Sequence, residues 1–286
     1  MKLLSLLFIL LSAAAQLIAQ ANETDRSWNQ PVEPFRIADN IYYVGANEIT
    51  SYLITTPKGH ILLDSGFKET VPQITANIAK LGFKIADVKY LINSQAHYDH
   101  AAGLAELKRL TGAKLLASGE DAKLLGRGGK DDPNFHDRFL FEPVAADKTF
   151  SDGWKLKLGG TTMTANITAG HTKGCTTWTT AANESGKDLN IIFVCSTTAP
   201  GYQLINNPTY PDIAKDFQRT FDRMKTFKVD VFLSAHASQF KLDEKLALLR
   251  GGTKVNPFID PKGYTEYLEA TEKAFHDLLA SQKAKQ

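Results

Sequence analysis

What the chain lacks narrows its function first. It has no charge excess of either sign: a net charge of +2 over 286 residues gives no electrostatic reason to expect nucleic acid. No basic stripe interleaved with aromatics occurs either, which excludes a nucleic-acid partner. There is no linker rich in proline, glycine or serine and no short repeat, so residues 22–286 are expected to form one mature domain. Past the N-terminus no apolar stretch is long enough to cross a bilayer, so the mature chain is expected to be free of the membrane. The apolar share of 43% and charged share of 22% are those of an ordinary globular protein.

The one long apolar run stands at the start. Met1-Lys2 is a short basic beginning, the run continues through Leu3 to Ala15, and Ala19-Gln20-Ala21 has the small-x-small form of a cleavage site. Residues 1–21 are therefore read as a signal peptide, with the mature chain beginning at Asn22. The apolar core is too short for a comfortable membrane anchor, and no cysteine near the cleavage site is available for lipid attachment. Export is the expectation, to the periplasm in a Gram-negative host.

Residues 95–100 read Gln95-Ala96-His97-Tyr98-Asp99-His100, directly after the apolar run Val88-Lys89-Tyr90-Leu91-Ile92-Asn93. Four possible metal ligands fall within six residues, where a strand should end. Alternation puts Gln95, His97 and Asp99 on one side of an extended segment, and His100 follows at a helix start. Imidazole nitrogen and carboxylate oxygen suit a borderline-soft ion such as zinc. His171, in the glycine-flanked turn Ala169-Gly170-His171-Thr172-Lys173-Gly174, and His236, in Leu233-Ser234-Ala235-His236-Ala237, also follow strands. In layered folds functional groups gather at strand ends. His60, His136 and His276 break the pattern and are read as ordinary surface or packing residues.

The periodicity predicts short strands at 41–44, 51–55 and 60–63, then a helix over 69–81. A strand ending at Asn93, a helix over about 100–110 closed by Thr111-Gly112, and a strand over 113–117 follow. Residues 126–137 are rich in glycine and charge and read as a mobile surface loop. Strands fill about 149–194, then come a helix over 213–227, a strand over 229–233, a helix beginning over 244–249, and a last helix over about 264–279. Strands in blocks with helices between and after them suggest two packed sheets with helices outside. Residues 176–182 and 189–194 read as strands joined by the turn Asn183-Glu184-Ser185-Gly186-Lys187. A hairpin centred on Ser185 sets Cys175 opposite Cys195. An oxidising compartment favours a disulfide between them; the alternative is a pair of buried free thiols serving as small apolar side chains.

Gln95-Ala96-His97-Tyr98-Asp99-His100-Ala101-Ala102-Gly103 resembles the H-x-H-x-D-H signature of the metallo-β-lactamase superfamily. Leu62-Leu63-Asp64-Ser65-Gly66 and the His171 and His236 turns match its other motifs in order. The resemblance runs from about Pro34 to the last helix. It is nearest to the third subclass of class B β-lactamases, through residues 171–178, through Ser196-Thr197-Thr198-Ala199-Pro200-Gly201-Tyr202, and through Asn256-Pro257-Phe258-Ile259-Asp260. The resemblance implies an α/β fold, the four-layer αββα sandwich, with a two-metal groove along one edge. It implies a first zinc site at Gln95, His97 and His171 and a second at Asp99, His100 and His236. Asp99 would also orient the nucleophile. The implied reaction is hydrolysis of the β-lactam amide of penicillins, cephalosporins and carbapenems by metal-bound hydroxide, carried out by a monomer on a small-molecule substrate and conferring antibiotic resistance. Ser196 and Thr198 are implied as contacts for the substrate carboxylate, Tyr202 as an oxyanion contact, and Asp64 as a support or cap.

Two departures matter. Position 95 is glutamine where the family usually has histidine, as in a minority branch of the subclass; a neutral amide oxygen is a weaker zinc donor, so one or two ions are expected with the first site weakened. The strand end Val194-Cys195-Ser196-Thr197 lacks the bridging aspartate of glyoxalase II and of the tRNA- and phosphodiester-cleaving members, which argues against those activities. Two rival readings remain: an exported zinc hydrolase of the same fold acting on lactones or other esters, and a serine β-lactamase, since Ser65-Gly66-Phe67-Lys68 matches S-x-x-K. No S-D-N or K-T-G motif accompanies the latter.

Overall fold

The computed structural model describes residues 26–285; the signal-peptide reading of residues 1–21 lies outside the described residues. Two sheets pack face to face. The first runs, in sequence order, β1 (Phe35–Ala38), β2 (Ile41–Tyr43), β3 (Tyr52–Ile54), β4 (His60–Leu63), β5 (Val88–Ile92), β6 (Lys114–Ser118) and β7 (Lys148–Phe150). Strands β1 to β4 pair antiparallel through short turns, and β4 to β7 pair parallel. Parallel neighbours need crossovers. These are made by α1 (Val71–Lys80), by the short α2 (Tyr98–Ala101) with α3 (Leu104–Thr111), and by α4 (Gly119–Gly126).

The second sheet holds β8 (Lys155–Leu158), β9 (Thr161–Ile167), β10 (Thr176–Glu184), β11 (Lys187–Val194) and β12 (Val231–Ser234), in the order β12-β11-β10-β9-β8. Only β11 and β12 pair parallel, and α5 (Ile213–Met224) connects them. Helices α6 (Leu242–Arg250) and α7 (Pro261–Lys283) complete the described chain.

The patterning explains the layers. Strands β3 and β4 are buried at every position because both their faces are covered. Tyr52, Ile54, Ile61 and Leu63 join Trp178 and Phe193 in the core between the sheets. Leu53 and Leu62 point the other way, against Val71, Ile74 and Ile78 of α1 and Leu107 of α3. A third cluster packs Phe217 and Phe221 of α5 against Phe275 of α7.

Four local expectations needed correction. The helix expected over 100–110 is broken into α2 and α3, because Gly103 lies so close to the 65–67 segment that a Cβ there would sit 2.9 Å from the Ser65 carbonyl oxygen. Strand β1 and helix α4 went unread. The helix over 69–81 begins as a 3-10 turn, Lys68–Thr70. The β10–β11 hairpin is one residue out of the expected register: Glu184 pairs with Lys187 and Trp178 with Phe193, around a two-residue turn in which Ser185 and Gly186 both have positive φ, 54° and 85°. That register would oppose Cys175 to Ser196, not to Cys195. Both cysteines lie just outside the paired strands, and there they close a disulfide with a Cα–Cα distance of 5.9 Å.

Candidate metal centre

The centre forms where strands of both sheets end. The segment after β5 carries Gln95, His97, Asp99 and His100, and Asp64, just past β4, holds its base. Asp64 accepts hydrogen bonds from the Ser94 N–H (2.7 Å) and Ser94 Oγ (2.6 Å). Burial pushes the Asp64 carboxyl up to about 6, against the lowering influence of His100 and Ser94. Ser65 donates to the His100 carbonyl (2.9 Å) and accepts from the Gly103 N–H (3.1 Å). Its hydroxyl is thus buried and committed, which removes the serine-nucleophile reading. Asp64 acts as a support for Ser94 and caps no helix.

The tight turns at His171 and His236 bring their rings to the same place. His97 Nδ1 lies 3.1 Å from His171 Nε2, and His100 Nε2 lies 3.3 Å from His236 Nε2. Asp99 Oδ2 is 3.3 Å from His100 Nε2 and 3.6 Å from His236 Nε2. Asp99, His100 and His236 thus place one ligand atom each within 4.8 Å of one another. Burial raises the Asp99 carboxyl, but the imidazoles of His100, His236 and His97 outweigh it and hold the group well below the usual carboxylate range.

The far nitrogens define what the near ones offer. His171 Nδ1 faces the Thr198 carbonyl at 2.8 Å, His236 Nδ1 faces Glu48 Oε1 at 3.2 Å, and His97 Nε2 is 3.3 Å from Asp132 Oδ2. In His171 and His236 the far nitrogen meets a hydrogen-bond acceptor and so carries the proton, leaving the near nitrogen as a lone pair; His97 Nε2 lies near Asp132 without a hydrogen bond to it. Two lone pairs about 3 Å apart repel unless a cation or proton stands between them. Burial and the neighbouring His97 push the His171 ring down to about 3, so His171 itself stays neutral at neutral pH and offers its Nε2 as a lone pair. Gln95 is fully buried, and neither its Oε1 nor its Nε2 has a hydrogen-bond partner; His100 Nδ1 is also unpartnered. Orphaned buried polar atoms and converging lone pairs fit a metal.

A groove of about 710 Å³ opens over these residues. His97, Asp99, His171 and His236 line its floor, and Trp28, Phe67, Tyr98, Phe135 and Phe139 its walls, with Arg138 also in the lining. Thr198 lines it. Ser196 and Tyr202 do not: Ser196 Oγ sits behind Thr198 Oγ1 at 3.0 Å, and the buried Tyr202 hydroxyl donates to the His171 carbonyl at 3.1 Å. His136 is exposed, as a surface residue is, and lines the groove at its loop edge. His60 is buried at a strand start and His276 is exposed on α7, as packing and surface residues are. Another cleft, about 600 Å³, lies at the opposite strand ends beside Asp39 and His60; it gathers no ligand cluster.

Three supporting carboxylates escaped the sequence reading. Asp132 lies in the 126–137 segment, buried, and accepts from the N–H groups of Asn134 and Phe135, both at 2.7 Å. Glu48 stands in the turn after β2. Asp121, on α4, accepts from the Gly174 N–H (3.1 Å) and Thr172 Oγ1 (3.2 Å), and burial pushes it up to about 7. Only Asp121 carried a local signal: Ser118-Gly119-Glu120-Asp121 is an S-x-x-D helix start, and Ser118 Oγ indeed accepts the Asp121 N–H.

Comparison with known proteins agrees with this geometry. The profile of the metallo-beta-lactamase superfamily matches residues 44–236. The native FEZ-1 metallo-beta-lactamase from Legionella gormanii is 42% identical, aligns over 89% of this chain and 98% of its own, and superposes with a TM-score of 0.88. BJP-1, a subclass B3 metallo-beta-lactamase of Bradyrhizobium japonicum, is 39% identical over 90% of this chain and 97% of its own, with a TM-score of 0.85. Among curated proteins, a metal-dependent hydrolase of Anaeromyxobacter sp. (strain K) is 23% identical over 213 residues, 73% of this chain and 71% of that one.

Proposed function

The chain belongs to the metallo-beta-lactamase superfamily, and from that premise we propose that it is an exported, monomeric zinc β-lactamase of the third subclass, acting in the periplasm. The observation that carries the substrate assignment is the likeness, over nearly the whole length of both chains, to FEZ-1 and BJP-1. No helix among the described residues is long and apolar enough to cross a membrane, and the Cys175–Cys195 bridge suits an oxidising compartment.

Asp99, His100 and His236 would hold one zinc ion, and His97, His171 and the Gln95 amide oxygen a weaker second. Zinc supplies Lewis acidity and brings the pKa of water towards about 7. The protein's own groups do the rest. Asp99, kept anionic by its imidazole neighbours, accepts a hydrogen bond from the attacking water and orients it. Thr198 Oγ1 reaches the groove and hydrogen-bonds the substrate carboxylate, with Ser196 fixing its rotamer from behind. Tyr202 enters through the His171 carbonyl it holds. The aromatic walls exclude water and take up the apolar part of the substrate. Net, water adds across the strained amide: the C–N bond breaks and the ring opens, the carbonyl carbon becomes a carboxylate, and of water's two protons one goes to the ring nitrogen and the other to solvent.

The test is hydrolysis of imipenem and a penicillin by the mature protein, with and without EDTA, alongside zinc counting. Chelator-sensitive hydrolysis is expected, with turnover supported by a single zinc equivalent. Activity absent until a second equivalent binds would overturn the one-site reading. Zinc bound without any lactam turned over would move the substrate to lactones or other esters.

A further inference from the structure

We infer that Glu48 is the positioning residue of the second site: its carboxylate fixes the ring orientation and tautomer of His236, and so sets how tightly that site binds its metal. The inference rests on the zinc reading above and deepens it.

The turn bearing Glu48 is zipped to the turn bearing His236 by the backbone. Ala237 N–H donates to the Glu48 carbonyl at 2.8 Å, Thr50 N–H donates to the Ala235 carbonyl at 3.2 Å, and Ile49 pairs with His236 as an isolated antiparallel bridge. The Glu48 side chain is then used on both oxygens. Oε1 accepts from His236 Nδ1–H (3.2 Å) and Ser238 Oγ–H (2.7 Å), and Oε2 accepts from the Ser238 N–H (3.1 Å). Trp28 closes the far side of the ring, edge-on to His236 with centroids 5.5 Å apart, and its carbonyl accepts the Glu48 N–H at 3.3 Å.

A carboxylate on Nδ1–H does two things. It forces the proton onto Nδ1, so that Nε2 faces Asp99 and His100 as a lone pair, and its negative charge makes that lone pair a stronger donor. Outside the second site, the Asp132 carboxylate lies 3.3 Å from His97 Nε2, but two other rings of the centre are backed differently. His171 leans on a neutral carbonyl, and His100 Nδ1 has no partner. Within the second site, then, Glu48 is the one group that backs an imidazole with charge. It stands in a turn between strands rather than in the ligand hexapeptide, which is why no ligand motif contains it.

The experiment compares the mature, disulfide-bonded wild type with Glu48→Ala, Glu48→Gln and Ser238→Ala. Affinity for the first zinc equivalent is read by competition with a chromophoric chelator. In the cobalt(II)-substituted proteins, the paramagnetically shifted, solvent-exchangeable imidazole N–H resonance is followed by NMR. Glu48→Ala should weaken the tightest zinc about 10–100-fold and lose or broaden the His236 N–H signal by exchange. Glu48→Gln keeps an acceptor oxygen without the charge and should fall between the two, which a purely structural role would not produce. Ser238→Ala leaves the His236 contact in place and should stay near wild type. Circular dichroism separates misfolding from metal loss, and Glu48→Gln, close to isosteric, carries the test if the alanine variant fails to fold. Wild-type affinity and an unchanged N–H signal in the Glu48 variants would overturn this inference alone; a wild type that takes up no zinc would overturn the metal reading with it.

Discussion

The two halves of the metal centre draw on the same six-residue segment and are built from different donors. The second half gathers a carboxylate and two imidazoles, with their ligand atoms within 4.8 Å of one another. The first gathers two imidazoles 3.1 Å apart and an amide that is buried with no partner for either polar atom. One substitution, glutamine at position 95, separates them. A buried amide without partners costs stability and returns only a neutral donor, so the first half depends on its scaffold while the second binds through charge.

The sharpest way to break this contrast is to remove one member of each half. Asp99→Asn should lower kcat/KM for imipenem by about 10²–10⁴-fold, the range for losing a positioned acid–base group. Gln95→Ala should lower it far less. Equal losses in the two variants would mean that both halves are needed for turnover.

The scaffold of the first half offers the next test. The Cys175–Cys195 bridge joins the end of the His171 turn to the start of the Ser196–Thr198 segment, across a sequence separation of 20. Replacing both cysteines by serine should cost about 3 kcal/mol of unfolding free energy in a urea titration, as expected for closing a loop of that length. An unchanged midpoint would show that the loops hold the first half in place without the bridge.

The smallest effect is a pH slope. Asp121 ties together the Thr172–Gly174 segment, and its folded pKa of about 7 exceeds the ordinary 3.8 because it is buried. The folded state therefore holds this proton more tightly than the unfolded state does, and stability falls as pH rises from about 4 to about 7. Asp121→Asn removes the titration, so urea midpoints of the variant should gain on those of wild type across that window. A variant that keeps the wild-type slope would place the titration on another group.

Much of the centre was legible beforehand for a local reason. His97, Asp99 and His100 crowd one strand end, and the His171 and His236 turns also follow strands, so each candidate ligand sat in a recognisable segment. The supports were not legible, because their partners are far away in sequence: Glu48 meets His236 across 188 residues, and Asp132 meets His97 from a loop with no motif of its own. The hairpin shows the limit of counting. A two-residue turn at Ser185-Gly186, in place of the five-residue turn centred on Ser185, shifted the register, and the bridge still formed because both cysteines lie beyond the ladder.

By itself the sequence determined which atoms can bind a metal and which strands are buried on both faces, since ligand chemistry and apolar patterning are properties of short segments. It also set the expectation that the first half is the weaker, because an amide oxygen carries no charge wherever it is placed. Only the tertiary structure decided which histidine faces which, which nitrogen of His171 and of His236 carries the proton, and that Thr198 lines the groove while Ser196 and Tyr202 stand behind it. Those outcomes depend on contacts between segments tens to hundreds of residues apart, and no local pattern encodes the angle at which two loops meet.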